Sequence, residues 1–533
     1  MSGVTYFDAF SIVGRDIHMP DGQPDTPEGL LAAMDHCGIH EALVVDELAR
    51  DANPVAGNRR LVELLRDHPR LHPAWTALMP HSKELPPPRE LLAEMVDQGV
   101  AALFLFYRIF DIRLDDWGVD DLLAPMSGGR VPVFLCPDSI GGGYGVDQTD
   151  WNAVVRLCRR FPELPVIVTE NRIYKSQRAV YSALAACENL HLDLRALWLH
   201  GRIEFICREF GAHRLVWSSG LPGRVPAVPL MQLNYSEISL AELAAIAGGN
   251  LSQLLSWNPS FRSAADPVTF PEPLDALHRA ARERADLSPL EVHDCHGHLG
   301  AATPHHVVDS TLDQMVREMD RFGVRECCVF GLEGVFADER YGNDLVAEAV
   351  RRYPGRFIGF TMVNPNHGER TMREELERGL ERGMKGIKLI CDYHGYPGEG
   401  PLIDVACRFA DEHRQFILNH SWHSAGQIER LCRTYPNACF FTGHSTLGYV
   451  EVTRQVGNLF ICSCPFHAWG QTEEFVRLYG ADRILFGSDL TDLPIAWGLA
   501  PIMYARIPEE DKRKILGGNL KRLMDQYAIT PGP

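Results

Sequence analysis

The chain has 533 residues, 45% of them hydrophobic and 23% charged, and a formal net charge of −18. That is a globular balance, too long for one ordinary core, and its sign argues against nucleic acid or an anionic membrane surface as partner, since phosphate would repel it. No run of about 18 apolar residues could span a bilayer, the opening Met1-Ser2-Gly3-Val4-Thr5 lacks the features of a secretion signal, and the 14 cysteines lack Cys-x-x-Cys spacing, so reduced buried thiols in the cytoplasm are expected.

From Tyr6 onward, short apolar runs alternate with longer amphipathic segments. Ala42 to Val45, Ala101 to Phe106, Val131 to Cys136, Val166 to Val168 and Leu215 to Trp217 read as strands. Pro27 to His36 and Arg59 to Arg66 read as helices between them. The pattern resumes with Glu326 to Phe330, Ile358 to Val363, Gly386 to Ile390, Phe416 to Leu418, Ala438 to Phe441, Leu459 to Cys462 and Ile484 to Phe486. Such alternation implies a parallel sheet with helices outside it.

The two halves read as copies. Gly248-Gly249-Asn250-Leu251 returns as Gly517-Gly518-Asn519-Leu520, and Arg156-Leu157-Cys158-Arg159 as Arg430-Leu431-Cys432-Arg433. Gly211-Ala212-His213-Arg214-Leu215 returns as Gly480-Ala481-Asp482-Arg483-Ile484, and Asn189-Leu190 as Asn458-Leu459. The order is the same in both halves, which points to duplication. Each copy is close to the roughly 250 residues of a (β/α)8 barrel. The expected fold is therefore α/β, with two tandem (β/α)8 TIM-like barrels forming a fused pseudo-dimer. The expected domains are a first barrel over 1–258, a proline-rich linker over 259–289 holding a helix from Leu274 to Arg284, and a second barrel over 290–533.

Chemistry gathers in the second copy. In Asp294-Cys295-His296-Gly297-His298, strand alternation projects both histidines to one face, a half-site for a divalent metal. Reactive side chains of a barrel sit at the C-terminal ends of its strands. Such positions hold Lys388 in Gly386-Ile387-Lys388-Leu389, His420 after Phe416 to Asn419, His444 after Phe440 to Gly443, and Asp489 in Gly487-Ser488-Asp489. Each alone reads equally well as an ordinary loop histidine, surface lysine or helix cap; the set fits successive βα units. Tyr393, His394, Trp422, His423, His467, Trp469 and Asp492 follow these strand ends and are candidates for shaping a substrate pocket.

The Asp-x-His-x-His opening, the Gly-x-Lys-Leu strand, the two later histidines, the closing Gly-Ser-Asp and the Gly-Gly-Asn of the last helix resemble the amidohydrolase superfamily, in particular its amidohydrolase-2 branch. The likeness runs over Leu290 to Met524. It implies that His296, His298, His420, His444 and Asp489 hold or adjoin a metal. In the preferred reading the centre is binuclear: His296, His298 and Asp489 hold one ion, His420 and His444 the other, and Lys388, carboxylated by CO2, bridges them. The alternative is a single ion on His296, His298, His420 and Asp489, with His444 as acid or base and Lys388 as a plain ammonium. Zinc is the default metal for such donors, and iron and manganese tolerate them.

An ion there lowers the pKa of bound water towards neutrality and polarises a carbonyl, and Asp489 is placed to carry the proton. The expected reaction is hydrolysis of an amide, ester, lactone or thioester of a small molecule. Competing readings are a non-oxidative decarboxylase, against which Lys388 counts, and a non-catalytic binding or scaffold protein. Aligning the copies turns His296, His298, Lys388, His420, His444 and Asp489 into Phe10, Ile12, Phe104, Cys136, Glu170 and Gly220, while Asp294 stays as Asp8. The first barrel is thus expected to be metal-free and inactive. The substrate and any oligomeric state beyond the pseudo-dimer are not legible in the sequence.

Overall fold

The computed structural model describes residues 4–17, 22–138, 147–263, 267–301 and 305–530; the opening Met1-Ser2-Gly3 and the closing Pro531-Gly532-Pro533 lie outside them. The chain divides into two units, Met1–Pro273 and Leu274–Pro533. The first holds eight strands in sequential order: β1 (Phe7–Val13), β2 (Glu41–Asp46), β3 (Leu71–Thr76), β4 (Ala102–Leu105), β5 (Val133–Leu135), β6 (Val166–Val168), β7 (Leu190–Asp193) and β8 (Leu215–Val216). The second repeats this as β9 (Val292–Leu299), β10 (Val324–Gly331), β11 (Phe357–Met362), β12 (Gly386–Leu389), β13 (Phe416–Asn419), β14 (Cys439–Thr442), β15 (Leu459–Cys462) and β16 (Ile484–Leu485). Neighbouring strands pair in parallel throughout, as in β1–β2 and β9–β10. Helices connect them, so each unit is a (β/α)8 barrel, as the alternation predicts.

Closure is achieved in the same way twice. Ala9 N donates to Trp217 O at 3.0 Å and Cys295 N to Phe486 O at 2.8 Å, tying each first strand to the end of the eighth. The buried carboxylates of Asp8 and Asp294 reinforce this, accepting from Ser219 N at 2.8 Å and from Ser488 N at 3.0 Å. That explains why this aspartate is shared by both copies. It fastens the barrel rather than the chemistry.

The other repeated landmarks are also structural. The amide nitrogen of Asn189 donates to the carbonyls of Cys158, Phe161 and Leu164, and that of Asn458 to Cys432, Tyr435 and Ala438. Asn250 bridges Ala212 O and Leu215 O; Asn519 bridges Ala481 O and Ile484 O. These amides satisfy buried carbonyls that loops leave open, a need any copy of the fold retains. A Cβ on Gly248 or Gly517 would lie 2.7 Å from Thr5 O or 2.6 Å from Glu291 O, so only glycine lets the closing helix approach the first strand.

The helix Ala276–Arg282 begins where Asp275 caps it through His278 N and pairs with the buried ammonium of Lys512 at 2.7 Å. This segment, read from composition as part of a linker, is thereby fastened to the second barrel. All fourteen cysteines are buried and free. Among the described residues no helix is long and apolar enough to cross a membrane.

Candidate metal centre

The first strand of each barrel is not a simple alternating ribbon. Asp294 pairs with Cys327 and Gly297 with Val329, three steps on β9 against two on β10. Asp8 and Ser11 against Ala42 and Val44 show the same bulge in β1. His296 lies inside this bulge, a device that re-aims side chains at functional rims. The two imidazoles end with ring centroids 5.1 Å apart and tilted by 53°. Both Nε2 atoms meet one carboxylate oxygen of Asp489, His298 at 2.7 Å and His296 at 3.4 Å.

Asp489 reaches them because the loop after β16 is tied back onto β9: its N–H donates to His296 O at 2.9 Å. Its φ is +63°, a left-handed backbone that costs a non-glycine residue roughly 1–2 kcal/mol. The counterpart Gly220, at φ +71°, adopts it freely. The strain is kept only where a carboxylate results.

The later strand ends complete the wall. The ring of His444 stacks on His296 at 5.4 Å and meets His420 edge-on at 4.6 Å. Ligand atoms of His296, His298 and Asp489 all lie within 4.8 Å of one another, and so do those of His444, Cys464 and Asp489. His420 adjoins these groups through His444, and its Nδ1 is held at 2.5 Å by Asp392. Lys388 is fully buried, its Nζ 3.9 Å over the ring of Phe330, which also packs on both histidines of β9.

Electrostatics suit a cation. Burial, with the Lys388 charge, drives His296 well below the ordinary imidazole value, and burial takes His444 down to about 4. Both are neutral donors at pH 7. Burial works to raise Asp489, but the His298 hydrogen bond and the neighbouring imidazoles outweigh it and hold the group well below the usual carboxylate range. The Nδ1 atoms of His296, His298 and His444 are buried without hydrogen-bond partners among the described residues. Imidazoles converging on one carboxylate are the donor set of a divalent transition metal, so the residues present fit such an ion. Burial lowers Lys388 to about 7, although Asp489 and Asp392 pull it upward.

The loop candidates divide. Tyr393 is largely exposed and meets His420 edge-on at 5.0 Å, at the rim of the site. Asp492 pairs at 2.9 Å with buried His305, on the loop after β9. Trp422 is buried against Phe440 and donates to Phe441 O, which steadies its loop. His394 bonds Gly334 O, His467 bonds Pro465 O, and Trp469 lies under Arg506. His423 takes φ +62° at the end of its loop, just before the helix cap Ser424. Sequence reasoning missed Asp392, Phe330, His305 and Cys464. Asp392, Phe330 and Cys464 sit at or near strand ends and were accessible to the same logic; His305 needed the fold.

The first barrel fills the same place differently. Strand register puts Phe10, Phe104, Cys136, Glu170 and Gly220 at the positions of His296, Lys388, His420, His444 and Asp489. Phe10 stacks on Phe104 at 5.3 Å, and Phe104 on Phe134 at 4.4 Å. Buried Arg195 lies 4.8 Å over the Phe10 ring and donates to Thr169 Oγ1 and Asn171 Oδ1 at 2.8 and 3.0 Å.

The amidohydrolase family model matches residues 11–255 and again 294–525. The chain belongs to the amidohydrolase family. The two matches restate the duplication, since each spans one barrel. Solved structures similar to it include 5-carboxyvanillate decarboxylase from Sphingomonas paucimobilis, at 16% identity and TM-score 0.35, covering 44% of this chain and 99% of that one. A 2,6-dihydroxybenzoate decarboxylase from Rhizobium matches at 17% identity and TM-score 0.36, covering 44% and 99%. The 5-carboxyvanillate decarboxylase of Novosphingobium aromaticivorans, solved with manganese, matches at 15% and 0.37, covering 45% and 97%. No curated protein matches the chain.

Proposed function

We propose that this amidohydrolase is a metal-dependent hydrolase that cleaves an amide, ester, lactone or thioester of a small molecule, with chemistry confined to the second barrel. The observation that carries the reading is the convergence of His296 and His298 on one oxygen of Asp489. His444 stands against the same group, and the corresponding positions of the first barrel hold an aromatic stack. A divalent ion held there supplies Lewis acidity, making water nucleophilic near neutral pH and polarising a carbonyl. His296, His298 and His444 are its donors, His296 and His444 held neutral by desolvation. Asp489 stays ionised and is the group placed to accept the proton of the attacking water and return it to the leaving group. Asp392 holds Nδ1 of His420, which orients that ring and fixes the tautomer that leaves Nε2 as the donor atom.

Lys388 supports the binuclear form of the proposal. Its pKa of about 7 leaves much of the amine neutral, the form that reacts with CO2, and the resulting carbamate would sit among the histidines that pack on Phe330. Zinc is the metal proposed, one or two ions per chain. The test is elemental analysis of the purified chain, followed by a panel of esters, lactones, amides and thioesters with CO2 release monitored in parallel. About one or two ions per chain and turnover on such a panel support hydrolysis. CO2 release from an aromatic or unsaturated acid replaces it with decarboxylation. A protein with no metal and no activation by added metal is not this enzyme.

A further inference from the structure

Cys464 lies two residues beyond the end of β15, and its sulfur faces the Asp489 carboxylate. Sγ, a ring nitrogen of His444 and an Asp489 oxygen fall within 4.8 Å of one another, the spacing of ligands around one ion. His444 Nδ1 is buried and has no hydrogen-bond partner among the described residues. Nothing in the histidine pattern requires a thiol at this point.

The first barrel shows independently where position 464 points. β7 pairs Asp193 with Val216 and β15 pairs Cys462 with Leu485, so Cys464 corresponds to Arg195. The Arg195 side chain passes over Phe10, the counterpart of His296. It bonds Thr169, the residue before the counterpart of His444. A Cβ on Gly220, the counterpart of Asp489, would lie 2.8 Å from its Cδ. A side chain at this position therefore enters the space between the three ligand strands. In the copy without ligands that space holds a guanidinium cation; in the copy with ligands a thiol faces it.

We infer that Cys464 is a metal ligand of the second barrel, joining His444 and Asp489 as a sulfur donor that biases the centre towards zinc or cobalt and away from manganese. This rests on the metal-centre reading above. Loss of its proton on binding leaves a thiolate, and the proton passes to solvent. Thiolate is soft and suits zinc, whereas manganese takes oxygen donors, so sulfur here sets metal preference.

The apo-protein is titrated with Co(II) alone, and absorbance and bound metal are measured together. The expected result is a near-ultraviolet thiolate-to-cobalt charge-transfer band that rises with occupancy and disappears in Cys464→Ser and Cys464→Ala while persisting in Cys462→Ser. Cys464→Ser should also weaken zinc binding at least about tenfold in competition with a chelator, with manganese binding little changed. Cobalt bound without the band overturns the ligand assignment alone and leaves Cys464 as a neighbour of Asp489. A band that survives in Cys464→Ser overturns it too. No cobalt bound overturns the metal centre itself. Circular dichroism of each variant checks the fold, and the wild-type spectrum decides even where a variant does not fold.

Discussion

Arg195→Met in the first barrel tests whether a fixed side-chain cation holds that barrel together in place of an ion. The guanidinium is 6% exposed and lies 3.5 Å from Asp193 and 3.9 Å from Asp138. At an effective dielectric near 20 each attraction is about 4–5 kcal/mol in gross terms, most of it offset by desolvation. Methionine keeps the stem volume but removes this cation from the carboxylates, a change that costs about 3–5 kcal/mol at buried pairs and that the Arg224 charge acting on both offsets only in part. Asp193 retains Ser218 Oγ at 2.7 Å and a backbone N–H at 2.9 Å, so the lower end applies. For a unit of this size about 3 kcal/mol corresponds to a fall in Tm of roughly 6–12 °C. Differential scanning calorimetry of the metal-loaded protein should show that fall with the metal content unchanged. A Tm within about 2 °C of wild type would refute the reasoning, because it would mean that Arg195 carries no net electrostatic load.

Asp489→Ala should abolish turnover and release metal, while Phe10→Ala should cost about 3–5 kcal/mol of stability in urea unfolding and leave metal content intact; loss of metal from the Phe10 variant would contradict the division of labour between the barrels. If Lys388 is carboxylated, reconstitution of the apo-enzyme with zinc should require bicarbonate, and Lys388→Ala should regain activity with added short-chain carboxylates; bicarbonate-independent reconstitution at full activity excludes the bridge. Burial raises Asp8 to about 6 from 3.8, although its serine and backbone hydrogen bonds pull it down. The folded state then binds more protons than the unfolded state between those values, so this group's contribution falls by about 3 kcal/mol as pH rises from 4 to 6 and is flat above. Urea unfolding of wild type and Asp8→Asn across that range should show the wild type losing that margin relative to the variant; parallel pH profiles would show that Asp8 is not the titrating group.

Local pattern sufficed for much of the fold, because alternation of apolar runs is a local property and the matching landmarks lie on the chain itself. Leu71–Thr76 and Leu190–Asp193 escaped the reading because Pro73, His72 and His191 break their apolar runs. Those strands are held by their neighbours rather than by their own composition. The histidines, Lys388 and Asp489 were legible for the same reason as the strands: barrel geometry gathers strand ends wherever they lie in sequence. His296 and His298 were read from simple alternation, yet a bulge visible only in the pairing with β10 sets their final aim.

What the sequence by itself determined is the duplicated barrel and the set of donors that one copy has and the other lacks. Tertiary structure alone decided which of these meet. It brought both β9 imidazoles onto one oxygen of Asp489, placed Asp392 behind His420, and set Cys464 and Arg195 at one position of two barrels. The physical reason is that donor identity is carried by single residues, whereas convergence depends on register, bulges and the closure of the eighth strand on the first. Those are properties of the whole closed sheet.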